Sequence, residues 1–290
     1  MLFIFSIGFW SIKMPFFNVD KIRLILILRA LSPPINVYFC QNFTNMFSIF
    51  SSKKLLASKL GEFTDIHNHI LPGIDDGAKT PKDSLQLLTQ FKELGITNLI
   101  CTPHTMSDYY PNTPETILDA EATLKSFLKE NGHEDISIRS SSEYMMDSGL
   151  VNLLENKQIL PLKDNYVLVE MSYLQPPVNL REILFKVGNS GYIPVLAHPE
   201  RYAFYHAKYN TYNELKNICK FQLNALSISG YYGPGIAKIA LKLLSEGMYD
   251  FIGTDTHHMR HVENLKKVKF SGKYEPDLDR IISNTTATFS

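Results

Sequence analysis

The chain has 290 residues, is 44% hydrophobic and 20% charged, and balances 29 lysines and arginines against 29 aspartates and glutamates for a formal net charge of zero. Length and composition suit one large globular domain, and the balanced charge argues against a bulk basic field for nucleic acid. The three cysteines, Cys40, Cys101 and Cys219, are odd in number and far apart with no CxxC pair, so they give no disulfide framework and point to a reducing cytoplasm.

Residues 1–60 differ in character from the rest. The stretches 2–10 and 22–31 are apolar, the second interrupted by Arg23 and Arg29. Neither reaches the ~18–20 apolar residues of a membrane span. No positive charge precedes the first stretch, unlike a secretory signal, and Pro33-Pro34 breaks any helix there. Met46-Phe47-Ser48-Ile49-Phe50, followed by Ser51-Ser52-Lys53-Lys54, reads like a natural start of a cytoplasmic chain. The expectation is an N-terminal extension over 1–60, of which 1–45 is not part of the native chain; a weak membrane anchor is the alternative. The domain then spans 61–290.

From residue 61 onward, short apolar runs alternate with amphipathic segments. The run 63–66 leads into Asp65-Ile66-His67-Asn68-His69. A helix follows from Pro81, with Thr80 as N-cap, Asp83 in the first turn, Leu85, Leu88, Phe91 and Leu94 at helical spacing, and Gly95 at the C-cap. The run 98–101 ends in Thr102-Pro103-His104, and a second helix runs from Thr113-Pro114-Glu115 to Asn131-Gly132. The run 136–142 ends in Glu143, 166–169 in Glu170, and 193–197 in His198-Pro199-Glu200-Arg201. Shorter helices are expected over 150–156, 180–189, 213–220 and 236–246. The run 221–228 has no obvious ligand and offers Asn224; the last run, 251–253, ends in Thr254-Asp255-Thr256-His257. The segments 263–269 and 276–288 read as surface helix and loop closing the fold, with a turn at Tyr274-Glu275-Pro276.

Seven alternations of strand and helix predict a parallel sheet covered by helices. An open doubly wound sheet gathers functional residues at one switch point. Here nearly every strand carries one at its C-terminal end, as a closed α/β barrel requires.

Residues two apart on a strand end face one side, so His67 with His69, and Asp255 with His257, can reach one cation. Glu143 and Glu170 end apolar strands, where an unpaired carboxylate is costly to bury unless a metal or basic group meets it. Asp75 and Asp76 share the turn Leu71-Pro72-Gly73-Ile74-Asp75-Asp76-Gly77; one can be a ligand while the other caps the turn, and spacing does not decide which. His133, His206 and His261 lie in polar stretches and read as exposed, while His258 fits either description. Imidazole and carboxylate donors without thiolates suit manganese, iron or zinc. No Cys-x5-Arg loop exists, which argues against a cysteine nucleophile. Arg201 is the best candidate to clamp an oxyanion through its planar fork, and Arg260 the second; that this oxyanion is a phosphate is implied only by the family resemblance. Tyr109, Tyr110, Tyr173, Tyr202, Tyr231 and Tyr232 would line the mouth or, for most of them, simply pack.

The stretches Asp65 to Gly77, Thr102-Pro103-His104, Glu143-Tyr144-Met145, Glu170, Ala197-His198-Pro199-Glu200-Arg201-Tyr202 and Thr254-Asp255-Thr256-His257 resemble the polymerase-and-histidinol-phosphatase (PHP) superfamily. More narrowly, the chain is similar to the bacterial tyrosine-protein phosphatases of capsule and exopolysaccharide operons. The resemblance spans roughly 63–262 and leaves the first 60 residues without a counterpart. It implies a distorted seven-stranded (β/α)7 TIM-like barrel holding three divalent ions, usually Mn2+. Carried across by motif, His67, His69, Glu143 and Asp255 would hold one; Glu143 would bridge to a second completed by Glu170 and His198; Asp76, His104 and His257 would hold the third. Glutamate at 170, where many PHP relatives have histidine, fits the tyrosine phosphatase branch. The implied reaction is phosphotyrosine hydrolysis by in-line attack of metal-activated water. The implied partner is the tyrosine-rich tail of a membrane-associated tyrosine autokinase controlling polysaccharide synthesis. A small-metabolite phosphomonoesterase such as histidinol phosphatase is the alternative; a nuclease lacks its basic groove, and a non-catalytic scaffold would not need a complete ligand set.

Overall fold

The computed structural model describes residues 53–290; the extension expected over 1–45, with its continuation to residue 52, lies outside the described residues. In chain order the strands are β1 (Lys53–Leu55), β2 (Thr64–Asp65), β3 (Asn98–Cys101), β4 (His104–Thr105), β5 (Ser137–Ser140), β6 (Glu143–Met145), β7 (Tyr166–Glu170), β8 (Ile193–Ala197), β9 (Lys220–Asn224), β10 (Phe251–Gly253) and β11 (Lys269–Ser271). The α-helices are α1 (Pro81–Glu93), α2 (Pro114–Glu130), α3 (Ser148–Glu155), α4 (Leu180–Asn189), α5 (Asn210–Lys216), α6 (Pro234–Ser245), α7 (Met259–Leu265) and α8 (Glu275–Phe289).

Strands β2-β3-β5 form one parallel sheet and β4-β6-β7-β8-β9-β10 another. Only Thr102-Pro103 separates β3 from β4, and only Ser141-Ser142 separates β5 from β6. Pro103 has no N–H to give a ladder, so the pairing breaks there. A parallel bridge between Asn68 and Thr256 joins the chain beyond β2 to the chain beyond β10. The result is a mixed α/β fold around a curled parallel sheet.

Alternation along each strand divides the apolar residues into two cores. Tyr166 and Leu168 of β7 face inward with Ile66, Ile100, Val195, Ala197 and Phe251. Their neighbours Val167, Val169, Leu99, Leu196 and Ile252 face outward against the helices. Burial on both faces explains why these strands read as unbroken apolar runs. Glu170 has the parity of Leu168, which carries it inward at the C-terminal end of β7.

Helices α1 and α2 begin where their signals place them. Thr80 and Asp83, then Thr113 and Thr116, form reciprocal capping boxes ahead of Pro81 and Pro114. Other expectations need correction. The helix expected over 213–220 is α5, shifted towards the N-terminus, because Lys220 is already paired with Val195 in the sheet. Within 263–269 the chain leaves α7 and becomes strand β11, which pairs antiparallel with β1. Residues 53–60 are therefore packed into the domain rather than lying apart from it, with Leu56 and Leu60 buried. Nor is the last helix a surface element: Leu278, Ile281, Thr285 and Phe289 are buried along it. Phe289 completes the inner core, edge-on to Tyr166 and Phe251 at ring distances of 5.4 and 4.9 Å. No helix among the described residues is long and apolar enough to cross a membrane.

Candidate metal centre

The C-terminal ends of the parallel strands carry the ionisable residues inward. Asp65, inside the first motif, fastens β2 to the chain just beyond β10: its carboxylate accepts from Thr254 N at 2.9 Å, Thr254 Oγ1 at 2.7 Å and Asn68 Nδ2 at 3.2 Å. The chain continues past β2 with His67 and His69 turned to the same side. Small residues let the walls close. A Cβ on Gly253 would meet His67 Cβ at 2.7 Å, and one on Gly77 would meet the His69 carbonyl oxygen at 2.0 Å. His198 and Asp255 sit in left-handed backbone, with φ of 35° and 53°, an unfavourable state for residues bearing a Cβ that concentrates at functional sites.

Glu143 stands at the centre. Its Oε2 lies 3.2 Å from His67 Nε2, 3.5 Å from His69 Nε2 and 3.1 Å from His104 Nδ1, and its Oε1 lies 3.0 Å from His198 Nε2. Asp255 Oδ1 is 3.4 Å from the Nε2 atoms of both His67 and His69. Glu170 Oε1 is 2.8 Å from His104 Nδ1. At the outer edge Asp76 Oδ1 approaches His104 Nε2 at 3.6 Å and His257 Nε2 at 3.5 Å. Every metal position expected from the sequence joins one of four overlapping groups whose donor atoms lie within 4.8 Å of one another: His69, Asp76, His104 and His257; His67, His198 and Asp255; His67, His69 and Glu143; His104, Glu143 and Glu170. These groups cut across the three sets carried over by motif, with His69 shared between two of them.

The donor set fits metal ions. Gln222 Oε1 holds His67 Nδ1 at 2.8 Å, Asp75 Oδ2 holds His69 Nδ1 at 2.8 Å, and the Asp255 carbonyl holds His257 Nδ1 at 3.0 Å. Occupying the far nitrogen fixes the tautomer and leaves the near nitrogen free to bind a cation. The inward atoms His67 Nε2, His69 Nε2, His104 Nδ1, Glu143 Oε2 and Glu170 Oε1 are buried without a hydrogen bond, although they are close to one another. His198 differs: its Nε2 faces Glu143, and its Nδ1 is the unpartnered atom. Without a cation, protons must offset the buried acids. Burial, followed by Glu143, raises the Glu170 carboxyl. Burial and His69 push His104 down, but Glu170 and Glu143 outweigh them and hold it near 10. Divalent ions would replace these protons.

The two turn aspartates separate in role. Asp75 is buried and spent on His69 Nδ1, the Gly77 N–H at 2.8 Å and the His104 N–H at 3.2 Å. The Asp76 side chain is 52% exposed and faces the cluster.

A cavity of about 480 Å³ opens over the cluster, lined by Asp76, His104, Glu170, Asp255 and His257 together with Arg201, Tyr109, Tyr110 and Tyr173. Arg201 Nη1 donates to Asp255 Oδ2 at 2.6 Å, and its guanidinium lies between the rings of Tyr173 and Tyr232, 4.5 and 4.1 Å from their centroids. Arg260 is not brought to the cavity; it is exposed, 5.9 Å over Tyr231. Tyr202 is a core residue whose hydroxyl meets the Met171 N–H. His261, expected to be exposed, is buried against Tyr231, and its Nδ1 accepts from the His257 N–H. Its apolar cover comes from the Tyr231 loop, thirty positions earlier, so local polarity was a poor guide.

Strand β9, which offered no ligand in sequence, supplies the supports. Besides Gln222, Asn224 donates to Asp255 Oδ2 at 2.8 Å, and its own N–H is held by buried Glu200 at 3.0 Å. Glu200 thus faces away from Arg201. The signal for these residues is a polar side chain at inward parity, Gln222 and Asn224 flanking Leu223, and it is visible only once the strand is placed.

The chain is similar to known proteins in sequence and in fold. Residues 63–269 match the family model described as capsular polysaccharide synthesis, CpsB/CapC. The chain is 29% identical over 199 residues to the tyrosine-protein phosphatase YwqE of Bacillus subtilis, covering 68% of this chain and 78% of that one. It is 28% identical over 202 residues to the tyrosine-protein phosphatase CpsB of Streptococcus agalactiae serotype V, covering 67% and 83%. Its fold matches a solved structure from the pair YwqE of Bacillus subtilis and CpsB of Streptococcus pneumoniae, described as metal-dependent tyrosine phosphatases, with a TM-score of 0.68, 24% identity, and 78% and 93% of the two chains covered.

Proposed function

We infer the function from a family relationship: the chain belongs to the CpsB/CapC family of capsular polysaccharide synthesis. It is a protein-tyrosine phosphatase, a phosphoric monoester hydrolase acting on phosphotyrosine in proteins. The observation that carries this reading in the chain itself is the convergence of nine imidazole and carboxylate donors in overlapping groups, five of which line one cavity together with Arg201. The finer reading of the fold is a distorted seven-stranded (β/α)7 barrel of PHP type, with β3 and β4, and β5 and β6, each counted as one interrupted strand.

In the proposed site His67, His69, Glu143 and Asp255 would hold one divalent ion, Glu143, Glu170 and His198 would hold a second, and Asp76, His104 and His257 would hold a third. Manganese is the proposed metal. Bound ions would neutralise phosphoryl oxygens and lower the pKa of water. The chain's residues do the rest. Arg201 spends one donor on Asp255 and offers the others to the phosphate. The rings of Tyr173 and Tyr232 keep its plane fixed. Gln222, Asn224 and Asp75 hold His67, Asp255 and His69 in place. Water attacks phosphorus in line and tyrosinate leaves, with no phosphorylated residue. Burial of both Cys101 and Cys219, each with its thiol pushed up by that burial, agrees with a cysteine-independent reaction.

The proposed substrate is the tail of a membrane-associated tyrosine autokinase, and the proposed location is the cytoplasm. Initial rates on a phosphotyrosine peptide and on histidinol phosphate test the reading. The peptide is expected to be hydrolysed with the higher kcat/KM; preference for histidinol phosphate would replace the protein phosphatase by a metabolite phosphatase.

A further inference from the structure

The cavity does not end at the metal cluster. A second cleft of about 240 Å³ opens beside it and shares Met106 and Asp147 with it. Its walls carry Ser107, Asn112, Asn152, Leu153, Asn156 and Gln158. We propose that this cleft binds the polypeptide flanking the phosphotyrosine, in extended form, and that it selects neutral or basic flanks over acidic ones. The proposal rests on the phosphatase reading of the adjoining cavity and goes beyond it by naming where the rest of the substrate lies.

The chemistry of the walls points to a peptide. An extended backbone presents N–H and C=O groups along its edge, and a carboxamide matches both. Asn152 and Gln158 are exposed, and their carboxamides make no hydrogen bond with any described residue. Asn112, by contrast, is fully engaged: Nδ2 donates to the carbonyls of Ile74 and His104, and Oδ1 accepts from Thr116. It ties the Asp75-Asp76 turn to β4, so the partition between cleft and metal cluster is rigid while the outer wall is free to bind. The shared Met106 leaves an apolar threshold between the two spaces.

The charges set the preference. Neither hollow is lined by a lysine, and Arg201, deep in the first, is the lone arginine among the described lining residues. Asp147 stands at the junction, and Asp108 lines the first hollow. Asp147 caps α3 through Leu150 N and holds the Ser107 N–H, while Asp108 is exposed and forms no ion pair with any described residue. Once the inner carboxylates are matched by cations, these two remain to face the flanks, and acidic side chains there meet like charge.

The test uses the manganese-loaded full chain at low salt, with p-nitrophenyl phosphate and a set of phosphotyrosine heptapeptides carrying Gly, Lys or Glu beside the phosphotyrosine. Wild type is expected to prefer Lys over Glu flanks by about two- to five-fold in kcat/KM. Asn152→Trp, which fills the cleft from an exposed helix position, is expected to lower the ratio of peptide to p-nitrophenyl phosphate kcat/KM by about ten-fold. Asp108→Lys is expected to shrink or reverse the flank preference. General damage to the enzyme would lower both substrates together and leave the ratio alone. If both substrates are hydrolysed but the ratio is unchanged in Asn152→Trp, the groove is refuted while the phosphatase stands. If wild type hydrolyses neither, the underlying reading fails and takes the groove with it.

Discussion

Asp75 Oδ2 lies 2.8 Å from His69 Nδ1, and Asp75 thereby orients an imidazole that faces the cluster without facing it itself. The consequence is a split between neighbouring aspartates. Asp75→Ala is expected to lose on the order of 2 kcal/mol of folding stability together with metal affinity. Burial raises the Asp75 carboxyl, but His69 and the Gly77 N–H outweigh it and hold it at about 2. Its contribution is therefore present above the unfolded pKa of about 3.9 and lost as pH falls through the folded value. Urea denaturation of wild type and variant should converge between pH 4 and pH 2. Asp76→Ala, at a half-exposed site, should stay within about 0.5 kcal/mol of wild type while losing at least about ten-fold in kcat/KM. Equal effects at the two positions would remove the distinction.

Arg201 is expected to bind phosphate with a geometry lysine does not share. Arg201→Lys should lower kcat/KM by about a hundred-fold, with the circular dichroism spectrum unchanged. Arg260→Ala should change it by less than about two-fold, since a surface change away from the cavity is near neutral. Steady-state kinetics on a phosphotyrosine peptide compare the two; a larger loss at Arg260 would relocate the clamp.

Chelation should unfold the protein more readily as well as silence it. Glu143, Glu170 and Asp255 are buried in overlapping donor groups, and a ligand at a hundred times its Kd stabilises the folded state by about 2.7 kcal/mol. Thermal melts with and without EDTA are expected to differ by several degrees, with manganese restoring the higher value. Because imidazoles must be neutral to coordinate, the manganese effect should weaken as pH falls below the ordinary histidine range. A melting temperature indifferent to both additions would argue against a shared ionic core.

Phe289 closes the inner core beneath the cluster. Phe289→Ala is expected to cost about 3–5 kcal/mol, read by denaturant titration. A cost below about 1 kcal/mol would mean that the last helix only rests on the curled sheet.

Much of this was written into the sequence. Thr80-Pro81 and Thr113-Pro114 announce helices through local chemistry, and they begin as announced. Eight of the nine donors were legible because each follows an apolar run; Asp76 lies in a turn, where spacing left it level with Asp75. What escaped depends on partners distant in the chain. Strand β11 exists because β1 lies beside it, more than two hundred positions away. Phe289 looks like a surface residue until the sheet curls around it. Gln222 and Asn224 are ordinary amides until parity turns them toward His67 and Asp255. The exposed setting expected for His261 failed for the same reason, since its cover is Tyr231.

The most direct measurement pairs elemental analysis with phosphotyrosine turnover during stepwise reloading of chelated protein, for wild type and His67→Ala. The prediction is that turnover rises in proportion to bound divalent metal and saturates in wild type, while His67→Ala retains less metal and releases little phosphate. Full turnover in metal-free protein, or an unimpaired His67→Ala, would contradict the account.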